Sequence, residues 1–239
     1  MQVLIAIPVY NEQRYVRDVL DQVKRYHDHV LVIDDGSSDQ TPEILRSVAG
    51  INVLRHEKNS GYGSSLIDAF NWADANGYDW VITMDCDCQH EPKRIPDFMR
   101  EIATDKWDII SGSRYMQVDA GDDLPPPERR SINATITCII NDIFGTCLTD
   151  SFCGFKAHRV KPTIGLNLTE KGYAFPMQFW PRAIAGGLRI TELPVRLIYN
   201  DPNRQFGGGL DDANDRLNHY LEVLNAETVR VLRPDHTGK

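Results

Sequence analysis

The sequence predicts an α/β fold: a Rossmann-like, doubly wound, mostly parallel sheet with helices on both faces. Short apolar runs of strand length alternate with segments whose apolar residues recur at helical spacing through the first half of the chain. Tyr10, Asp35, Asp85 and Arg114 each follow such a run, at the strand ends where open α/β sheets hold ligands. The length, 239 residues, suffices for one large α/β domain or two small ones.

Element by element, Val3 to Val9 is an apolar strand. Glu12 to His27 carries Tyr15, Val16, Val19, Leu20 and Val23 at helical spacing, and Val30 to Ile33 is the second strand. Asp34 and Asp35 end it, Gly36-Ser37-Ser38-Asp39 is turn chemistry, and Thr41-Pro42-Glu43 starts a helix with proline in its first turn. Asn52 to Arg55 reads as a strand, Gly61 to Asn76 as a helix and Trp80 to Met84 as a strand. Lys93 to Ala103 reads as a helix and Trp107 to Ser111 as a strand. Gln117 to Glu128, with three prolines, predicts a mobile loop. Ile132, Ile136, Ile139, Ile140, Ile143 and Phe144 form a helical stripe for a core, a dimer face or a lipid tail. Leu217, Tyr220, Leu221 and Leu224 place one or two helices over Arg216 to Leu232. The expected division is a catalytic domain at 1–210 and a helical extension and tail at 211–239.

Bulk properties narrow the function. Hydrophobic residues make up 41% and charged residues 25%, ordinary for a globular protein. A net charge of −8 argues against nucleic acid as a partner and against a polybasic membrane anchor. An anionic ligand must then be met by local cations or a metal. Five irregularly spaced cysteines do not make a disulfide framework, and Cys86-x-Cys88 lacks a second pair for zinc. The N-terminus opens directly on a strand without a signal-like segment, and no apolar run reaches membrane-spanning length. The expected location is therefore cytoplasmic, peripheral at a membrane if the acceptor is a lipid. The sequons at Asn133 and Asn167 are then chance matches.

The chemistry concentrates at Asp85-Cys86-Asp87-Cys88-Gln89-His90. If the strand continues, alternation points Asp85, Asp87 and Gln89 one way and the two cysteines the other. Such an oxygen donor set suits Mg²⁺ or Mn²⁺, and a divalent ion there can neutralise a departing diphosphate.

With Ile7-Pro8-Val9-Tyr10-Asn11-Glu12, Val32 to Thr41, Asn59 to Ser65 and Gly112-Ser113-Arg114-Tyr115, that motif completes an ordered set. The set resembles family 2 glycosyltransferases of the GT-A fold, in the dolichyl-phosphate mannose synthase-like branch, over Val3 to about Gly209. The resemblance implies nucleotide-sugar binding by Pro8, Tyr10, Glu12, Ile33, Asp35, Asp85, Cys86, Asp87, Arg114 and Arg204. It implies a metal on Asp85, Asp87 and Gln89, with Gly61 and Gly63 letting backbone approach a phosphate. Arg114 and Arg130 match arginines near the diphosphate or the acceptor phosphate. Asp150, in Asp150-Ser151-Phe152-Cys153-Gly154-Phe155-Lys156, is the candidate general base for a hydroxyl acceptor; for a phosphate, already anionic, it becomes an orienting group.

Two departures stand out. Lys171-Gly172-Tyr173-Ala174-Phe175 matches the lipid-phosphate branch, but Gln178 replaces a carboxylate, removing a charge expected near the site. The terminal cationic segment keeps Arg204 and lacks the lysine. The resemblance thus implies a metal-dependent, inverting transfer from a nucleoside-diphosphate sugar to a polyprenyl phosphate. The alternatives are a soluble glycosyltransferase with a hydroxyl acceptor and a catalytically weak nucleotide-sugar binding protein. Donor base, sugar and homo-oligomer formation are left open.

Overall fold

A computed structural model of the chain describes residues 1–117, 121–123, 125–199 and 209–233. The elements run β1 (Val3–Val9), α1 (Val16–Val23), β2 (Val30–Asp34), α2 (Thr41–Ser47), β3 (Asn52–Arg55), α3 (Tyr62–Ala75) and β4 (Trp80–Thr83). A 3₁₀ turn (Pro92–Arg94) leads into α4 (Ile95–Ala103), then β5 (Ile109–Ser113), α5 (Pro127–Phe144), β6 (Lys156–Arg159) and α6 (Val160–Gly165). The chain continues through α7 (Phe175–Ala185) and β7 (Ile190–Pro194) to α8 (Ala213–Leu232).

The strands form one seven-stranded sheet in the order β3-β2-β1-β4-β6-β5-β7. β6 runs antiparallel to β4 and β5, and the other pairs are parallel. The order turns back between β1 and β4, the topological switch where a doubly wound sheet opens a crevice.

Both faces of the central strands are buried, which is why they read as continuous apolar runs. Ile5, Ile7 and Val32 face a core closed by α1, α2 and α4, while Leu4, Ala6, Leu31 and Ile33 face a second core. Phe70, Ile136, Trp180 and Leu224 of α3, α5, α7 and α8 close that second core. The isoleucine stripe of α5 therefore becomes core at Ile132, Ile136 and Ile140, while Ile143 stays exposed. In the stretch set apart as an extension, α8 is one continuous helix that buries Tyr220 and Leu224 against the same core.

Some boundaries move for local reasons. α1 starts at Val16 rather than Glu12 because Asn11, at φ 55°, turns the chain first, and its Oδ1 accepts the N–H groups of Ser38 and Asp39. In the proline-rich stretch, α5 already begins at Pro127, and Asp122 and Asp123 bond the 197–199 backbone.

Candidate active site

A cavity of about 1020 Å³ opens over the carboxyl ends of β1, β2 and β4. Pro8, Tyr10, Glu12 and Asp35 line it with Asp85, Cys86, Asp87, Gln89 and Arg114, so most of the sequence-predicted set converges. Tyr10 is 46% exposed, an aromatic face open to a ligand. Ile33 does not reach the cavity: it is fully buried in the second core, because strand alternation turns it to the face opposite Val32. Arg204 lies outside the described residues.

The acidic motif reaches the cavity by a turn and not by strand alternation. β4 ends at Thr83, and Cys88 takes φ 61°. The Gln89 N–H donates to Asp87 Oδ1 at 3.0 Å, and the Asp85 N–H donates to His90 Nδ1 at 3.0 Å, which folds the segment back on itself. Cys86 is buried against the first core. Asp85 Oδ1 also accepts the Tyr62 hydroxyl at 3.0 Å. Burial, with Asp85 next, raises that phenol well above its ordinary pKa, so Tyr62 keeps its proton and remains a donor.

Glycine explains two close approaches here. A Cβ on Gly154 would strike the Asp85 carboxylate, so the Gly154-Phe155 step makes room for the acidic turn. At Gly61 and Gly63 the neighbour is protein: a Cβ would collide with the carbonyls of Lys171 and Glu170. Those carbonyls, one of them accepting the Ser64 N–H at 3.1 Å, sit where the sequence reading placed a phosphate. The start of α3 is thus capped by the 170–172 backbone. Asp35 belongs to the same region: it lines the cavity but already accepts His56 Nδ1 at 2.6 Å and the N–H groups of Ser60 and Gly61 at 2.7 and 2.9 Å.

Asp150 is 0% exposed and does not line the cavity. It grips Arg114 in a fork, Nε to Oδ2 at 2.7 Å and Nη2 to Oδ1 at 2.9 Å. It also accepts Asn133 Nδ2 at 2.8 Å and the N–H groups of Arg114, Phe152 and Cys153. Burial alone would raise its pKa, yet the Arg114 charge and these donors hold it well below the usual carboxylate range. The same pairing raises Arg114 despite its burial. A group so arranged holds an arginine in place; it makes a poor proton acceptor near neutrality. Lys156, in the same motif, is buried below the site, with its ammonium on the Cys153 carbonyl and its pKa lowered by burial.

Arg129, not Arg130, lines the cavity; Arg130 is exposed and stacks on Tyr115 at 3.6 Å from the ring centroid. One step along a helix turns a side chain by about 100°, and only the placement of α5 decides which arginine enters. Gln178 is also away from the cavity. Its Oε1 accepts the N–H groups of Thr169 and Glu170, and its Nε2 donates to Glu227 of α8 at 2.7 Å. The exchange expected to remove charge near the site instead joins a helix-packing network.

Sequence reasoning missed Tyr62, Asn133 and Tyr173, which line the cavity, although the quoted motifs contain or flank them. It also missed Arg216, His219 and Tyr220 of α8. Their i, i+3, i+4 spacing was the available signal.

Residues 4–161 match the model of the family described as glycosyl transferase family 2. The undecaprenyl-phosphate mannosyltransferase of Micrococcus luteus is 29% identical over 225 residues, covering 89% of this chain and 91% of that protein. A UDP-N-acetylglucosamine–dolichyl-phosphate N-acetylglucosaminyltransferase of Methanococcus voltae is 25% identical over 218 residues, covering 83% and 86%. Among solved structures, glucosyl-3-phosphoglycerate synthase of Mycobacterium tuberculosis, in complex with Mn²⁺, UDP and phosphoglyceric acid, superposes with a TM-score of 0.70. That match has 17% identity and covers 99% of this chain and 80% of that one, a likeness of fold.

Proposed function

Because this chain belongs to glycosyl transferase family 2, we propose that it moves a sugar from a nucleoside-diphosphate sugar to a polyprenyl phosphate, with inversion at the sugar carbon. The observation that carries the reading is one cavity holding Asp85 and Asp87 together with Arg114, whose guanidinium is locked by buried Asp150. The two named relatives with polyprenyl-phosphate acceptors, matched over most of their length, support the acceptor class.

In this reading Tyr10, Pro8 and Glu12 hold the nucleoside, and Asp35 shapes its pocket through the Ser60–Gly61 turn. Asp85, Asp87 and Gln89 would hold Mg²⁺ or Mn²⁺. All three line the cavity, and a donor set of oxygens alone fits either ion. When bound, such an ion would supply charge neutralisation for the departing diphosphate. Arg114 directs its remaining N–H groups at phosphate oxygens, and its fork to Asp150 keeps it oriented without movement during reaction. The acceptor phosphate is already anionic and needs positioning by cations rather than a base. Arg129 takes the place given to Arg130 in the sequence reading. Among the described residues, no helix is long and apolar enough to cross a membrane.

A transfer assay with the donor sugar and a polyprenyl phosphate in detergent, comparing Arg129→Ala, Arg130→Ala and Asp150→Asn, tests the reading. Arg129→Ala should raise the acceptor KM with the donor KM unchanged, and Arg130→Ala should do less. No transfer to polyprenyl phosphate by wild-type protein that turns over its donor with a hydroxyl acceptor would refute it.

A further inference from the structure

The two carboxylates of the acidic turn are held in different ways. Asp87 accepts the Gln89 N–H from within its own turn, whereas Asp85 Oδ1 accepts a hydroxyl from another element, that of Tyr62 at the start of α3, at 3.0 Å. Among the described residues this is the one hydrogen bond the Asp85 carboxylate accepts: His90 Nε2 stands 3.8 Å from Oδ2, too far for a second. The terminal torsion of an aspartate is broad, so a carboxylate without such a bond can turn on its axis. An ionised carboxylate only accepts, so the tyrosine is the donor.

Tyr62 is itself placed by contacts on several sides. Before it, Gly61 donates its N–H to Asp35 Oδ2 at 2.9 Å; after it, Gly63 lies against the Glu170 carbonyl. The Ser64 N–H donates to the Lys171 carbonyl at 3.1 Å, which seats the 170–173 segment on the start of α3. From that segment the Tyr173 ring stacks on the Tyr62 ring, with centroids 5.8 Å apart and planes 14° from parallel. Tyr62, Tyr173 and Asp85 all line the cavity.

We propose that Tyr62 is a positioning residue of the metal and diphosphate subsite, its hydroxyl setting the rotation of the Asp85 carboxylate. The inference rests on the reading of Asp85 and Asp87 as the carboxylates that would hold the ion, and it adds a residue to which that reading gave no role. A group that orients a metal ligand from behind is worth about 10- to 100-fold in metal affinity or activity. Asp87 is oriented by its own turn, but the orientation of Asp85 depends on how α3 and the 170–173 segment pack together.

The test is calorimetric binding of Mn²⁺ to the full chain with UDP or GDP present, for wild type and Tyr62→Phe. Thermal melting and nucleoside-diphosphate binding in EDTA are measured alongside. The phenylalanine keeps the ring for Tyr173, and the carboxylate it leaves behind is 29% exposed and open to water, so the variant should melt like wild type. It should bind Mn²⁺ about tenfold or more weakly, with nucleotide affinity in EDTA unchanged. Its rate of donor turnover should recover as Mn²⁺ is raised, which a merely structural role would not produce. Equal Mn²⁺ affinity in the two proteins overturns the inference and leaves the glycosyltransferase reading standing. A Tyr62→Phe that melts well below wild type, or loses nucleotide affinity in EDTA by the same factor, also overturns it, because the hydroxyl would then serve the fold or the nucleoside pocket. A wild type that binds a nucleoside diphosphate but no Mn²⁺ with it overturns the metal reading, and the inference falls with it.

Discussion

Asp150→Asn separates a structural carboxylate from a catalytic base. The substitution keeps the side-chain volume and removes one charge beneath Arg114. Asp150 Oδ2 now accepts Arg114 Nε and the Arg114 N–H, while Oδ1 accepts Arg114 Nη2, Asn133 Nδ2 and the N–H groups of Phe152 and Cys153. Either orientation of an amide puts an NH₂ group against donors on one side, so those bonds are lost and the guanidinium, 18% exposed at the cavity wall, stays without its counter-charge. Breaking a buried pair from one side costs about 3–5 kcal/mol. The assay is urea unfolding of both proteins at pH 7, with the donor KM measured in parallel. The variant should unfold at much lower urea, and its donor KM should rise because Arg114 is no longer held. Arg114→Met with Asp150→Leu should recover much of the stability, since replacing both partners removes the stranded charge. A wild-type rate profile without a step from Asp150 between pH 5 and 8 completes the expectation, because its carboxyl lies well below the usual range. Unchanged urea stability in Asp150→Asn, with activity lost and pH-dependent in the wild type, would refute the reasoning and restore the base.

Asp87→Asn keeps an oxygen for the Gln89 N–H and should melt like wild type, while metal-dependent transfer falls by about a hundredfold or more; full activity in the purified variant would remove the metal site. Gly63→Ala should destabilise by about 1–3 kcal/mol because its Cβ meets the Glu170 carbonyl. An open helix position would instead gain up to about 1 kcal/mol, so the sign in a denaturation experiment decides. His158 is buried between the Phe70 and Phe179 rings, and burial followed by Lys156 lowers its pKa from 6.5 to about 3. Its folded pKa lies below its unfolded one, so stability is full above pH 6.5 and is lost as pH falls toward 3, by roughly 2 kcal/mol at pH 5. Unfolding free energies of wild type and His158→Gln measured from pH 7.5 to 5 should converge, and parallel curves would show that His158 does not carry the effect.

β1, β2 and β4 were legible because each is short, apolar and buried on both faces, so composition alone separates them from their helices, whereas β3, at the sheet edge, is largely exposed. Helix boundaries were less so: the start of α1 depends on Asn11 reaching across to the Ser38–Asp39 turn, a contact between segments that no local pattern records. In the second half, β6 and β7 lack a long apolar run. Lys156-Ala157-His158-Arg159 is a strand because β4 and β5 flank it, not because its residues favour one.

The sequence by itself determined the sheet-forming runs, the polar residues at their ends and the oxygen-rich motif at Asp85 to Gln89. Those follow from local periodicity and side-chain chemistry, which a linear pattern carries in full. Only the tertiary structure decided that Arg129 enters the cavity and Arg130 stays outside, and that Asp150 clamps Arg114. It also decided that Gly61 and Gly63 make room for the 170–171 backbone, and that α8 brings Arg216 to the same cavity as Arg129. Each of these depends on how α3, α5, α7 and α8 pack over one face of the sheet. A rotation of one residue on a helix, or a carbonyl arriving from a hundred positions away, changes what a side chain touches without changing the pattern in which it is written.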